Sequence, residues 1–148
     1  MNIVIGSDHA GFHLKQDLAA HLRQAGYALE DVGSHDPNPV DFPDIARALC
    51  TRLSSGAASR GLLVCGTGVG AAIAANKVRG IRAAVCHDVH SAHQGVEHDD
   101  VNVMCLGAQI VGAWLARDLV AAFLGAHFDG REDFVRRVRK LHDLEQEA

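Results

Sequence analysis

The chain has 148 residues, the length of one ordinary domain, so a function that needs a separate catalytic domain would require another chain or a second copy. Apolar residues make up 48% of it and charged residues 22%, a globular composition that allows a sizeable core and argues against disorder. The formal net charge of −4 gives no electrostatic case for binding nucleic acid.

Neither a leader peptide nor a membrane span is predicted. The first residues show no basic region followed by a long apolar run, and no segment has the roughly 20 apolar residues that cross a bilayer. The cysteines, Cys50, Cys65, Cys86 and Cys105, are too widely spaced for a zinc ribbon or a disulfide scaffold. We therefore expect a cytoplasmic protein that binds neither membrane nor nucleic acid and keeps its thiols reduced.

Short apolar runs alternate with helical patterns along the chain. The predicted strands are Ile3–Ile5, Ala28–Val32, Leu62–Val64, Ile81–Val85 and Val101–Leu106. The predicted helices are one through Leu14, Leu18 and Leu22 before Gly26, one through Ile45, Leu49 and Leu53 before Gly56, and further ones over Gly70–Asn76, His90–Val96, Gly112–Leu124 and Asp133–Glu145. This alternation predicts a single α/β domain over residues 1–148, with a doubly wound five-stranded parallel sheet in a Rossmann-like αβα sandwich and a C-terminal helical arm.

Ligands of such a sheet bind beyond the carboxyl ends of its strands. This rule places Ser7–Gly11, Cys65–Gly70 and His87–Asp88 along one edge. The polar stretch Gly33–Pro39 is predicted to be a surface loop. In the charged C-terminal helix, the predicted apolar contacts are Phe134, Val138, Leu141 and Leu144.

The strongest local signal is the glycine-rich turn Cys65–Gly70, which joins an apolar strand to a helix. Its glycines leave backbone N–H groups able to bind an anion, and a cysteine at the strand tip lies in the same field, which favours the thiolate. This combination suits a base beside an oxyanion hole. The alternative is that Cys65 is a small core residue and the glycines only form a tight turn.

Two further segments carry acid and histidine side chains. Asp8 and His9 lie at a strand-to-helix turn and could orient a polyol, or they could be a helix-capping aspartate and a solvent-facing histidine. His98, in the segment Glu97–Asp100, could act as an acid or base near neutral pH, or it could be a solvated histidine of an exposed polar loop.

Two other chemistries fit parts of the pattern less well. Cys86, His87, His90 and His93 suggest a metal site, but three of them cannot easily face one ion. The run Gly66–Ala71 matches a dinucleotide fingerprint, with Asp88 where a ribose-binding acid would lie. That fingerprint normally follows the first strand, whereas this run follows the third.

Several ordered blocks of the sequence resemble the ribose-5-phosphate isomerase B family, which also contains allose- and galactose-6-phosphate isomerases. The blocks are Ile5–Phe12, Cys65–Gly70, Ile73–Val78, Gly80–Asp88 and Glu97–Val103, and the similarity runs from about residue 1 to 145. The resemblance implies an αβα sandwich that isomerises a phosphorylated sugar without a metal or cofactor. It also implies homodimers, or dimers of dimers, with sites at the subunit interface.

The resemblance further implies a role for each matching residue. Cys65 would be the base that moves a proton between C2 and C1, and His98 would open the furanose ring. Asp8 and His9 would hold the sugar, while Thr67 and the loop backbone would stabilise the enediolate. The loop residues in question are Gly66, Thr67, Gly68, Val69 and Gly70.

Three positions, two of them in the family's phosphate site, depart from the family pattern. Asp99 stands where the family has asparagine, and Gln109 and Asp133 stand where it has arginines. Arg137 matches the remaining arginine, and Arg131 or Arg136 is the candidate for the missing partner.

These departures leave the substrate open. The resemblance predicts interconversion of ribose 5-phosphate and ribulose 5-phosphate through an enediolate. Another aldose phosphate is an alternative, whether allose 6-phosphate, galactose 6-phosphate or a tetrose phosphate. A weakly active partner subunit of a paralogue is a further alternative.

Overall fold

The computed structural model describes residues 1–147 and contains a five-stranded sheet. The strands are β1 (Asn2–Ser7), β2 (Ala28–Asp31), β3 (Arg60–Cys65), β4 (Ala83–Val85) and β5 (Val103–Gly107). Their spatial order is β2-β1-β3-β5-β4, and all neighbours pair in parallel. The predicted doubly wound parallel sheet is confirmed.

Helices cover both faces of the sheet. They are α1 (Phe12–Gln24), α2 (Phe42–Ser54), α3 (Val69–Ala75), α4 (Val89–Asp99), α5 (Ala113–Gly125) and α6 (Glu132–Glu147). The apolar faces of α1, α4 and α5 form one core with alternate strand residues such as Ile3 and Ile5. Those of α2 and α3 form a second core on the other face, with residues such as Val4. No helix among residues 1–147 is long and apolar enough to cross a membrane.

Some predicted strand boundaries were wrong. Strand β4 begins at Ala83 rather than Ile81, because the Arg82 N–H donates to the Asn102 side chain at 2.8 Å instead of to a neighbouring strand. Strand β5 accordingly begins at Val103 rather than Val101.

Some helix boundaries were also wrong. Helix α3 begins at Val69 rather than Gly70, directly after Gly68 leaves the turn in a left-handed conformation. Helix α4 continues past Val96 to Asp99, so His98 lies in its last turn and not in an exposed loop.

The C-terminal helical arm is present as α6, which packs against α4. Its contacts are fewer than the sequence suggested. Phe134 and Val138 are buried, whereas Leu141 is 43% exposed and Leu144 is 61% exposed. The apolar face of α6 is therefore more deeply buried in its first half than in its second half.

The crossovers distribute the loops between two edges of the sheet. The carboxyl edge holds the turns after the strands, and the amino edge holds the turns before them. Helix α4 starts at the carboxyl edge and ends at the amino edge, because it links two parallel strands. Strand order reverses between β1 and β3, so the turns after these strands diverge at the place where sheets of this kind bind ligands.

The outer edge of β4 is covered by a side chain. Asn76 donates its amide N–H to the Ala83 carbonyl and accepts the Ala83 N–H, each at 2.8 Å. This single amide takes the place of a neighbouring strand at one residue of a three-residue strand.

Candidate active site

The turn after β3 holds the predicted base. Cys65 is 5% exposed, and its Sγ accepts a hydrogen bond from the Gly68 N–H at 3.0 Å. Gly68 has a φ of +82°, a left-handed conformation that glycine adopts without steric cost. A donor on sulfur stabilises negative charge there. Cys65 is thus a core residue and also has a polar partner, so the two interpretations of its sequence are compatible.

The other cysteines lack the features of a nucleophile or base. Burial raises the pKa of Cys50 to about 11. Burial, with a smaller contribution from Asp88, raises the pKa of Cys86 to about 11. Burial is also the main reason that the pKa of Cys105 lies well above its usual value. These three side chains remain neutral thiols at neutral pH.

The turn after β5 is bonded to the turn after β3. The Ala108 N–H donates to the Cys65 carbonyl at 2.8 Å, and the Gln109 N–H donates to the Gly66 carbonyl at 3.0 Å. A Cβ on Gly107 would lie 2.8 Å from the Thr67 backbone, so the two turns touch through their main chains. Gln109 is exposed, and its side chain lies over Gly66.

The far side of the same turn packs against α2. A Cβ on Gly70 would lie 2.8 Å from the ring of Phe42, at the start of that helix. Nothing in the sequence alone indicated this contact. Thr67 and Val69 point outward from the turn, where Val69 is 52% exposed and its N–H donates to the Thr67 hydroxyl at 3.3 Å.

The turn after β1 holds Asp8 and His9. Asp8 is buried, and its Oδ1 accepts the Gly11 N–H at 3.1 Å. Gly11, not Asp8, precedes the first residue of α1, so the interpretation of Asp8 as a helix cap was wrong. His9 is exposed but not merely solvated, because its Nδ1 accepts the Val40 N–H at 3.3 Å. In a neutral imidazole this leaves the proton on Nε2 as a donor.

A buried ion pair holds the loop that reaches His9. Lys15 is completely buried, and its Nζ contacts both carboxylate oxygens of Asp31 at 2.7 and 2.8 Å. The same ammonium donates to the Ser34 carbonyl at 2.5 Å. Since the loop continues from Ser34 to Val40, this pair fixes the backbone that orients His9. Sequence reasoning missed Lys15, although its spacing from Leu18 places it on the buried face of α1.

His87 and Asp88 have structural partners. His87 Nε2 accepts the Gly107 N–H at 2.9 Å. Asp88 Oδ1 accepts the Ser91 N–H at 2.7 Å and caps α4, and this hydrogen bond lowers the pKa of Asp88. The carboxylate suggested for a ribose is therefore engaged in capping. Among residues 1–147, no three metal-ligating side chains lie close enough together to hold an ion.

His98 belongs to a second cluster, at the amino edge. Its imidazole stacks on the ring of Phe134 with 4.2 Å between centroids and 21° between planes. The guanidinium carbons of Arg131 and Arg137 lie 4.5 and 5.7 Å from the same ring centroid. Phe134 was predicted only as an apolar contact, and no local sequence signal linked it to His98.

The remaining predicted residues also lie at this edge. Asp99 follows His98 at the end of α4 and is exposed, as is Arg136 on α6. Two carboxylates accompany the arginines: Asp129 lies 3.0 Å from Arg131, and Asp133 lies 3.5 Å from Arg137.

The predicted site residues therefore form two groups. The carboxyl-edge group is Asp8, His9, Cys65, Gly66, Thr67, Gly68, Val69, Gly70 and Gln109. The amino-edge group is His98, Asp99, Arg131, Arg136 and Arg137. Helix α4 separates the two edges with 11 residues, a length of about 16 Å. Two groups that act on one small molecule must each lie within about 3 Å of it, so Cys65 and His98 of a single chain cannot belong to one site.

Comparison with known proteins gives a consistent picture. The model of the Ribose/Galactose Isomerase family matches residues 3–141. Ribose-5-phosphate isomerase B of Escherichia coli is 40% identical over 144 residues, covering 97% of this chain and 96% of that protein. The D-erythrulose-4-phosphate isomerase of Pectobacterium atrosepticum is 42% identical over 133 residues, covering 88% and 86%. The structure of Clostridium thermocellum ribose-5-phosphate isomerase B superposes with a TM-score of 0.97 at 44% identity, covering 99% of each chain.

Proposed function

The chain belongs to the ribose/galactose isomerase family, and on that premise we propose that it interconverts an aldose phosphate and a ketose phosphate through an enediolate, with Cys65 as the base. The observation that carries this proposal is the Gly68 N–H aimed at Cys65 Sγ, in the crevice between β1 and β3. In the forward direction the thiolate removes the C2 proton of the aldose. A proton passes from O2 to O1 of the enediolate, and the resulting thiol returns a proton to C1, which yields the ketose and restores the thiolate.

The rest of the carboxyl-edge group binds the sugar. Asp8 accepts hydrogen bonds from its hydroxyl groups, and His9 donates from Nε2. Thr67 and the backbone from Gly66 to Gly70 stabilise the oxyanion that develops on O1 and O2. The enediolate keeps the same number of electrons as the sugar, so this step requires no redox cofactor.

A second copy of the chain completes the site. Ring opening needs a proton donor and acceptor at the furanose oxygen, and His98 is the residue for this step. Because Cys65 and His98 of one copy lie at opposite edges, each site takes its carboxyl-edge group from one copy and its amino-edge group from another. The active form is thus a homodimer or a dimer of dimers. Arg137, with Arg131 or Arg136, binds the phosphate across this interface.

Ribose 5-phosphate is the substrate that the family resemblance favours. A four-carbon aldose phosphate is the second candidate, because two erythrulose-4-phosphate isomerases are each 42% identical to this chain. Gln109 and Asp99 provide less positive charge for the phosphate than the family pattern does. The free cysteines among residues 1–147 support the cytoplasm as the compartment.

Activity is tested with the purified chain alone, on five-carbon, six-carbon and four-carbon aldose phosphates. We expect isomerisation of at least one of them, unchanged by a chelator. Activity that appears only when a paralogous chain is added would instead favour the partner-subunit alternative. No activity on any member of the panel would overturn the proposed function.

The two-copy site is tested by mixing two variants that are each strongly impaired on ribose 5-phosphate. Cys65→Ser and His98→Asn chains each lack one group, but a mixed dimer contains one site with both groups intact. Unfolding and refolding equal amounts together should restore about a quarter of the wild-type sites. Each variant refolded with itself is the control. If activity does not exceed the sum of these controls, the two residues do not act in one site from different copies.

A further inference from the structure

One aromatic ring contacts most of the amino-edge group. Phe134 is 5% exposed, and the imidazole of His98 stacks on it at 4.2 Å. Arg131 and Arg137 contact the same ring at 4.5 and 5.7 Å. Three side chains from two helices and the turn between α5 and α6 therefore share one apolar support.

The stacked geometry preserves the chemistry of the histidine. Stacking uses the face of the imidazole, whereas both ring nitrogens lie at its edge. The His98 side chain is 32% exposed, and its Nε2 lies 3.8 Å from a Glu97 carboxylate oxygen, beyond hydrogen-bonding distance. The plane of the ring is therefore fixed while its nitrogens keep their hydrogen-bonding capacity, the combination that a proton donor for a sugar oxygen needs.

The same ring holds two positively charged side chains close together. Both guanidiniums lie within the range of about 6 Å over which a cation is attracted to an aromatic face. Each also pairs with a carboxylate, Arg131 with Asp129 and Arg137 with Asp133, and these pairs limit repulsion between the two cations. Both arginine side chains remain largely exposed, at 62% and 59%, and available to an anion.

We infer that Phe134 is a positioning residue, which fixes the plane of His98 for ring opening and holds Arg131 and Arg137 beside it for the phosphate. This inference rests on the proposed function, because ring opening by His98 is part of it. Phe134 itself donates and accepts no proton. Its effect should therefore depend on whether the substrate has a ring to open.

The test compares two substrates in the same variants. Ribose 5-phosphate closes to a furanose, whereas a four-carbon aldose 4-phosphate has no hydroxyl placed to do so. Phe134→Leu keeps an apolar side chain but removes the aromatic face. We expect it to lower kcat/KM for ribose 5-phosphate about tenfold more than for the four-carbon substrate. Phe134→Tyr keeps the face and should restore the wild-type ratio.

Two controls separate positioning from general damage. Val138→Ala removes another buried apolar contact of α6 and should leave the substrate ratio unchanged. In a His98→Asn background, Phe134→Leu should cause no further change in the ratio, because the group it positions is already absent. Proton NMR should show the His98 ring protons shifted upfield in the parent chain, and this shift should be lost in Phe134→Leu.

The possible results separate a failure of this inference from a failure of the proposed isomerase function. A parent chain inactive on both substrates overturns the proposed function and the inference with it. If the parent chain is active and Phe134→Leu leaves the ratio of kcat/KM values for the two substrates unchanged, the inference is overturned but the proposed function is not. The inference also fails if Val138→Ala changes the substrate ratio as much as Phe134→Leu does. It fails too if Phe134→Leu changes the substrate ratio in the His98→Asn background as much as it does in the parent chain.

Discussion

The carboxyl-edge group is built mainly from backbone, whereas the amino-edge group is built from the faces of side chains. Around Cys65, main-chain hydrogen bonds and close glycine contacts hold the turns after β3 and β5 together. Around His98, a phenyl ring and two guanidiniums provide the contacts. A backbone site is insensitive to most surface substitutions but fails when a Cβ is added, while a side-chain site can change one residue at a time. In the proposed reaction, the proton transfer between C2 and C1 belongs to the carboxyl edge, and ring opening and phosphate binding belong to the amino edge.

The two groups also differ in burial. Cys65 and Asp8 are 5% and 8% exposed, whereas most of the Arg131 and Arg137 side chains lies in solvent. An exposed arginine binds phosphate weakly, because water screens its charge. Covering the amino-edge group with the carboxyl edge of a second copy would remove that screening. The proposed two-copy site would therefore bury the edge that a single chain leaves exposed.

The largest expected effect is at the carboxyl edge. Cys65→Ser should lower kcat by about 10²–10⁴-fold, because an alkoxide is far less accessible than a thiolate at neutral pH. Thermal unfolding and substrate binding should change little. Cys50→Ala, which removes a buried thiol that stays protonated, is the matched control and should retain activity. Retention of more than about a few per cent of kcat in Cys65→Ser would exclude this cysteine as the base.

At the amino edge, the expected loss is in substrate binding. Arg137→Ala should raise KM by about tenfold to a hundredfold, the equivalent of a charge-assisted contact worth about 1.5–3 kcal/mol. The turnover number should change less, since the proposed contact of the guanidinium is with the phosphate and not with the reacting carbons. Arg139→Ala removes an exposed cation two positions along α6 and should leave KM unchanged. Equal effects of the two variants would indicate a general electrostatic attraction instead of a phosphate contact.

A smaller effect tests the backbone character of the carboxyl edge. A Cβ on Gly11 would collide with the carbonyl of Val64, so Gly11→Ala should destabilise the fold by about 1–3 kcal/mol and displace the turn that holds Asp8. Gly125→Ala adds the same methyl group where nothing lies within 4 Å and should be neutral or stabilising. Chemical denaturation gives the free energies of unfolding. Equal values for both variants would mean that the turn relaxes freely and is not rigid.

The smallest expected effect concerns specificity and crosses both groups. Gln109→Arg combined with Asp99→Asn restores the family pattern at one position of each edge. We expect kcat/KM for ribose 5-phosphate to rise severalfold relative to that for the four-carbon substrate. The reason is that the added positive charge would attract the substrate phosphate to the place where the family pattern binds it. The two single variants show which edge contributes. An unchanged ratio across the panel would mean that these two residues do not determine the substrate.

The sequence was most informative where a function is carried by consecutive residues. The turns Ser7–Gly11 and Cys65–Gly70 follow apolar strands, and the parallel sheet brings the ends of those strands together. Their position at one edge, and the alternation of strands and helices, could therefore be predicted. Strand order was not predicted, because it depends on which apolar faces pack and not on any local pattern.

Contacts between distant segments could not be predicted. His98 and Phe134 meet only because α6 returns to the end of α4, and neither segment identifies the other. The polar residues at 97–99 have the composition of a loop, but the N-cap at Asp88 starts a helix that continues through them. His87 was considered as a metal ligand, although it accepts a backbone N–H of β5 that only the folded sheet presents.

The Asn76 amide that bonds to Ala83 limits the access of other molecules to the outer edge of β4. An open strand edge can pair with another molecule and extend a sheet without limit. Here any incoming strand would first have to displace both hydrogen bonds between Asn76 and Ala83. One side chain thus protects this end of the sheet from pairing with the strand of another molecule.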